Sequence, residues 1–180
     1  VYKLWQDGDS VGIFQFESQG MTNFMKELKP DCLEDIIAGV SLYRPGPMDQ
    51  IPRYIANKKD PEHAVYTHPA LKPILKVTYG CMVYQEQVMQ IVRDLAGYSL
   101  GRADLVRRAM GKKKLDVMAK ERENFVHGKL DENGNVEIPG CVRNGIDEAS
   151  ANKIFDEMSE FAKYAFNKSH AACYAVVAYQ

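Results

Sequence analysis

The feature that most constrains this chain is the recurrence, along most of its length, of apolar side chains at three- and four-residue spacing. Met21, Phe24, Met25 and Leu28 fall at i, i+3, i+4 and i+7, one face of a helix over Ser18 to Leu28. Ile36, Ile37 and Val40 follow an Asp31–Glu34 capping pattern, and the RPGP string at Arg44 to Pro47 must end that helix. A short helix is expected around Pro52 to Lys59, and His68-Pro69 opens another with proline at its first position. Tyr84, Val88, Ile91, Val92 and Leu95 form the next stripe, closed by Gly97. Ser99 to Met110 and Leu115 to Val126 are two further helices, parted by Gly111 and lysines. Asp147 caps a helix whose core face is Ala151, Ile154, Phe155, Met158 and Phe161, and Asn167 caps the last. The one hairpin signal is Asn-Gly within Asp131 to Asn135, with Val136, Ile138 and Val142 as strand formers. The expected fold is mainly α: a multi-helix domain with a small β-hairpin insertion near residues 129–142.

Apolar residues make up 46% of the 180 positions and charged residues 26%, the balance of an ordinary globular protein. No apolar run is long enough for a membrane helix. The four cysteines, Cys32, Cys81, Cys141 and Cys173, have no CxxC spacing, which argues against a zinc site and for reduced thiols in a cytosolic protein. With a formal net charge of -1, whole-chain charge gives no hint of nucleic acid, so only a local basic patch can. The chain starts at Val1, and the apolar helix former Ala171 to Gln180 stops without a cap, so the sequence reads as an excised fragment. No GxGxxG or GxxxxGK[ST] string occurs, which disfavours a dinucleotide or Walker-type site.

The sharpest chemical feature is GRADLVRRAMGKKK, Gly101 to Lys114, with six basic residues against the single acid Asp104. At about 100° per residue, Leu105, Val106, Ala109 and Met110 share one side of the helix. Arg107 and Arg108 share the other, with Asp104 three and four residues earlier, placed to orient them. Gly111 then stops the helix before Lys112, Lys113 and Lys114. Paired planar guanidiniums suit phosphate because each bonds two oxygens at once. A plain solvated basic face stands beside this reading, and composition does not distinguish a triphosphate from a nucleic-acid backbone.

FNKSH, Phe166 to His170, is the second feature. Asn167 as N-cap sets Lys168, Ser169 and His170 in a first turn, where free N–H groups and the helix dipole favour anions. A lysine there opposes the dipole and suggests a compensating partner. The plainer alternative is a capped helix with an exposed lysine and a core histidine. Arg44, held stiffly before Pro-Gly-Pro, and Tyr84, at the head of YQEQ, are further candidate contacts; each also reads as an ordinary surface or core residue. Asp7 and Asp9 read as a turn around Gly8 more than as a metal site, and His63, His68 and His127 lack ligand spacing.

In order, GIFQFES (Gly12 to Ser18), LYRPGPM (Leu42 to Met48), TYGCMVYQEQVMQI (Thr78 to Ile91), LAGYSLGRADLVRRAMGKKK (Leu95 to Lys114), IFDEM (Ile154 to Met158) and YAFNKSHAACYAVVAYQ (Tyr164 to Gln180) resemble the alpha subunit of bacterial DNA polymerase III. The resemblance spans nearly the whole chain and assigns residues 1–180 to the fingers, a mostly helical region that closes over the incoming nucleotide. It implies nucleotidyl transfer in the whole enzyme of the bacterial cytoplasm, with Mg2+ held by palm aspartates that precede residue 1 and no catalytic or metal-binding residue in this chain. It implies primer–template DNA and deoxynucleoside triphosphates as ligands, with other holoenzyme subunits such as the sliding clamp bound elsewhere. By that resemblance Arg107 and Arg108 hold the triphosphate first, Lys112 and Lys113 second, oriented by Asp104, while Lys168 and His170 lie near the nucleotide with Asn167. The residues by themselves also admit a non-catalytic helical module that binds nucleic-acid backbone, or a structural domain whose basic face meets an acidic protein.

Overall fold

In the computed structural model, which describes residues 1–112 and 115–180 with the side chain of Leu115 excepted, the chain is organised as two compact units. One comprises Val1–Ala64, Val77–Tyr84 and Phe166–Gln180; the other comprises Val65–Lys76 and Gln85–Ala165.

The first unit contains α1 (Tyr2–Asp7), α2 (Gln19–Leu28), α3 (Leu33–Leu42), α4 (Ile51–Lys59) and, from the far end of the chain, the helix Lys168–Tyr179. The expected face of α2 is buried as read: Met21, Phe24, Met25 and Leu28 sit in one cluster with Trp5, Phe16, Ile36 and Ile37. Ser18 caps α2 by accepting from the Met21 N–H. The helix Lys168–Tyr179 packs along α3 through Ala171 and Ala175, whose small side chains are fully buried. At α3 the sequence pattern is displaced by one residue. Cys32, not Asp31, is the N-cap, and Asp35 rather than Glu34 reaches back, its Oδ2 accepting from the Asp31 N–H at 3.1 Å. Lys58, 2.8 Å from the same oxygen, holds the buried Asp35 in that position. The Asp7–Asp9 segment is the turn that was read: Gly8 adopts φ 80° and ends α1.

The second unit contains α5 (Lys72–Leu75), α6 (Gln85–Ala96), α7 (Leu100–Gly111), α8 (Leu115–His127), the strands β1 (Lys129–Leu130) and β2 (Val136–Ile138), and α9 (Glu148–Phe161). The Lys168–Tyr179 helix is therefore α10. Leu71 to Leu75 are entered through His68, whose Nδ1 accepts from the Ala70 N–H as Pro69 takes the first position. Gly97, at φ 78°, closes α6. β1 and β2 pair antiparallel with an irregular register, and Asp131 Oδ1 organises the loop by accepting from the Asn133 and Asn135 N–H groups, both at 2.8 Å. Val142 is not a strand residue; it lies in the turn after β2 and is exposed. Asp147 caps α9, and Ala151, Ile154, Phe155 and Met158 are buried, with Phe161 only partly so.

Two other expectations shift. Tyr84 does not belong to the α6 stripe. It precedes the helix, pairs with Phe166 in an isolated parallel bridge and is buried in the first unit. On α7 the buried line is Ala103, Val106 and Met110, while Leu105 is 63% exposed. The helix meets α6 along the 103–106–110 row, which leaves position 105 outside. Gly111 remains within α7 and Lys112 is the capping residue in a right-handed conformation, so no left-handed glycine stops this helix.

Candidate functional site

Each unit carries one group of the residues singled out from the sequence. In the second unit the group is built on α7. Ser99 Oγ accepts from the Arg102 N–H and starts the helix, and burial of Ala103, Val106 and Met110 fixes its rotation. Asp104, Arg107 and Arg108 then lie together off the buried row. Asp104 Oδ1 accepts from Arg107 Nε at 3.1 Å and Nη2 at 2.8 Å, and its Oδ2 is 2.8 Å from Arg108 Nε. One carboxylate thus organises both guanidiniums, as the i+3, i+4 spacing implies. The hydrogen bond from Arg107, with the charge of both arginines, holds the Asp104 carboxyl below the usual carboxylate range. The two arginines are not equivalent. Arg107 is 22% exposed and also donates Nη1 to Gln85 Oε1 of α6 at 3.1 Å, whereas Arg108 is 63% exposed. Lys112 is exposed at the helix end. Lys113 and Lys114 lie outside the described residues.

Arg102, read from the sequence as part of the same basic patch, has another job. Its Nη2 lies 2.6 Å from Oε1 of Glu121 on α8, a carboxylate only 9% exposed that also accepts from the Tyr98 hydroxyl at 3.1 Å. It ties α7 to α8 and is not part of the outward-facing pair.

In the first unit the group gathers at the start of α10. Asn167 Oδ1 accepts from the His170 N–H at 2.9 Å, the N-cap that the sequence implies. Lys168 Nζ is 3.0 Å from Oε2 and 3.2 Å from Oε1 of Glu34, and 5.3 Å from the centre of the Tyr84 ring. Glu34 is therefore the compensating partner for a cation set against the positive end of its own helix. Arg44 lies over the Phe166 ring, its guanidinium carbon 4.1 Å from the centroid, and donates Nε to the Ser41 carbonyl near the C-terminus of α3. Burial lowers its pKa from the ordinary arginine value. Arg44, Phe166, His170, Tyr174, Tyr43 and Gln15 line a cleft of about 300 Å³. The His170 ring is 4.3 Å from that of Tyr174 and 5.4 Å from that of Phe166. Gln15 takes φ 71°, a left-handed conformation costly for a residue with a side chain. Gly20 makes room for the Tyr43 hydroxyl, which would lie 1.7 Å from an added Cβ. The cleft thus joins Arg44 with His170, while Lys168 and Tyr84 make a separate contact within the same unit.

Residues 1–133 match the bacterial DNA polymerase III alpha subunit finger domain. The chain belongs to that family. Among similar proteins, the DNA polymerase III subunit alpha of Chlamydia trachomatis is 51% identical over 179 residues, 99% of this chain and 14% of the relative. The homologue from Xylella fastidiosa is 51% identical over 181 residues, covering 100% of this chain and 14% of its own length, and that from Thermus aquaticus is 50% identical over 185 residues with the same coverage. This finger-domain chain therefore spans about one seventh of the length of these relatives. Helix α7 lies inside the matched span; the start of α10 lies beyond it but within the stretch aligned with the relatives.

For this polymerase III finger domain the sequence reading missed Gln85, Glu34 and Glu121, whose importance depends on which helices pack together. It also missed Phe166 and Tyr174 as cleft walls, although His170 and Tyr174, four residues apart, share one helical row, with Phe166 just ahead of the Asn167 cap. Among the described residues, Asp31, Cys32 and Asp35 bring metal-ligating atoms within 4.8 Å of one another. Lys58 Nζ, at 2.8 Å from Asp35 and 3.3 Å from Asp31, is the cation already paired with both carboxylates. None of the described helices is long and apolar enough to cross a membrane.

Proposed function

We propose that this chain supplies the fingers of a replicative DNA-directed DNA polymerase, binding the triphosphate of the incoming deoxynucleotide and contacting primer–template DNA. The observation that carries the reading is the Asp104–Arg107–Arg108 cluster in a family of polymerase III alpha subunit finger domains. Two guanidiniums and one carboxylate leave a net positive charge of one, with the arginine planes held by the acid between them. Such donors favour the charge that accumulates on the pyrophosphate leaving group as the primer hydroxyl attacks the α-phosphate. Lys112 and Lys113 extend the positive field. Within the first unit, Arg44 and His170 on the aromatic cleft fit an aromatic or anionic ligand group, and Lys168 fits an anion in exchange for Glu34. Magnesium chemistry belongs to carboxylates outside this chain, and the clamp and other subunits bind elsewhere in the whole polymerase. The chain alone is accordingly inactive.

Arginine-selective modification of the full-length subunit tests the assignment. With phenylglyoxal and readout by mass spectrometry, a correctly paired deoxynucleoside triphosphate added to the subunit on terminated primed DNA is expected to protect Arg107 and Arg108. Protection by primed DNA alone, with no further effect of nucleotide, would assign the pair to DNA backbone instead.

A further inference from the structure

Arg107 is gripped from two sides, and the second grip comes from the neighbouring helix. Its Nε and Nη2 donate to Asp104 on its own helix, and its Nη1 donates to Gln85 Oε1 in the first turn of α6. A guanidinium has five N–H donors in one plane. Three are occupied by acceptors on two different helices, which fixes both the direction of the side chain and the rotation of its plane. Among the described residues, two N–H groups, one on each terminal nitrogen, are left over to donate to phosphate oxygens. Arg108, more exposed and held by a single ion pair, keeps more rotational freedom.

The chemistry of Gln85 matters as much as its position. An acidic residue would orient Arg107 equally well, but a second carboxylate would bring the cluster to zero net charge. An amide oxygen accepts the same hydrogen bond and leaves the excess positive charge available to an anion.

Resting on the triphosphate reading of α7, we propose that Gln85 is a positioning residue: a neutral acceptor that pre-orients Arg107 toward a triphosphate without neutralising it. Pre-orientation removes part of the ordering cost of nucleotide binding, because the long side chain is already confined. The roles of the two arginines then differ. Arg107 is the fixed ligand, and Arg108 is the arm that adjusts.

The test is steady-state nucleotide incorporation by the full-length subunit, with Gln85→Ala and Gln85→Glu made singly and in an Arg107→Ala background. Gln85→Ala is expected to raise the KM for deoxynucleoside triphosphates about three- to tenfold, the scale of one ordinary hydrogen bond, with unchanged affinity for primed DNA. Gln85→Glu keeps the geometry and cancels the charge, so it should raise KM at least as much with no loss of melting temperature. In the Arg107→Ala background both substitutions should be silent, since a residue acting through Arg107 has nothing left to hold. A Gln85→Ala variant with unaltered KM beside an impaired Arg107→Ala would overturn this inference and leave the triphosphate reading standing. So would effects that simply add to those of Arg107→Ala, which would mark Gln85 as structural. A normal KM in Arg107→Ala itself would overturn both.

Discussion

Lys168 Nζ lies 3.0 Å from Oε2 of Glu34, so the cation at the positive end of α10 is paired with a carboxylate from the first turn of α3. The sequence alone suggests that removing an isolated lysine here would relieve a repulsion with the helix dipole. The ion pair changes that expectation, because its loss offsets the relief. Both partners are partly exposed, at 34% and 43%, so the pair contributes at most about 1 kcal/mol. Lys168→Ala should therefore leave the urea-unfolding midpoint nearly unchanged while lowering nucleotide incorporation by the full-length subunit severalfold. Unimpaired incorporation would reduce Lys168 to a surface residue.

Arg102 and Arg108 belong to the same basic string but should respond in opposite ways. Arg102 shares its carboxylate partner with the Tyr98 hydroxyl in a nearly buried cluster. Arg102→Met strands Glu121 and should cost about 1–3 kcal/mol in unfolding free energy. It should leave the salt dependence of DNA binding as it is. Arg108→Met should be close to neutral for stability. A steep loss of salt dependence in Arg102→Met would put this residue at a ligand surface, against the geometry.

How far the sequence carried depended on the range of the interaction. Local signals were legible: Asp147 and Asn167 each accept the N–H three residues on, as read, and Ser18 and Ser99, read as the first residues of their helices, do the same. The Asp104 clasp was legible too, since i+3 and i+4 neighbours on one helix must meet. What failed were judgements that need the neighbouring element. Leu105 counts as apolar in the periodicity, yet α6 lies along the 103–106–110 row. Asp31 resembles a cap, yet Cys32 is the N-cap, and Asp35, paired with Lys58 from 23 residues later, is the acid that reaches back to the Asp31 N–H. Tyr84 continues the α6 spacing by one residue but is pulled out of it by its bridge to Phe166. Gln85, inside YQEQ, and Glu34, inside the capping pattern, carry no sequence signal for these roles, because their partners are distant in the chain.

The hairpin offers a sharp contrast between two glycines. Gly128 adopts φ 87°, and an added Cβ would sit 2.4 Å from the carbonyl oxygens of both Ile138 and Pro139. Gly134, in the loop at φ 80°, faces open space. Gly134→Ala carries only the left-handed backbone penalty, about 1 kcal/mol, whereas Gly128→Ala adds a backbone clash and should cost more than about 3 kcal/mol. Urea unfolding of the two variants measures the difference. Equal costs would contradict the close crossing at Gly128.

The most direct measurement of the central claim is made on the full-length subunit with Arg107 and Arg108 both replaced by alanine. The KM for incoming deoxynucleoside triphosphates, kcat, and the affinity for primed DNA are recorded over a series of salt concentrations. If the α7 pair grips the triphosphate, KM rises and kcat falls, while DNA affinity and its salt slope stay as in the parent. If the pair grips DNA backbone, the log–log salt slope shrinks by about one unit per arginine and the nucleotide KM is unchanged, which would contradict the account.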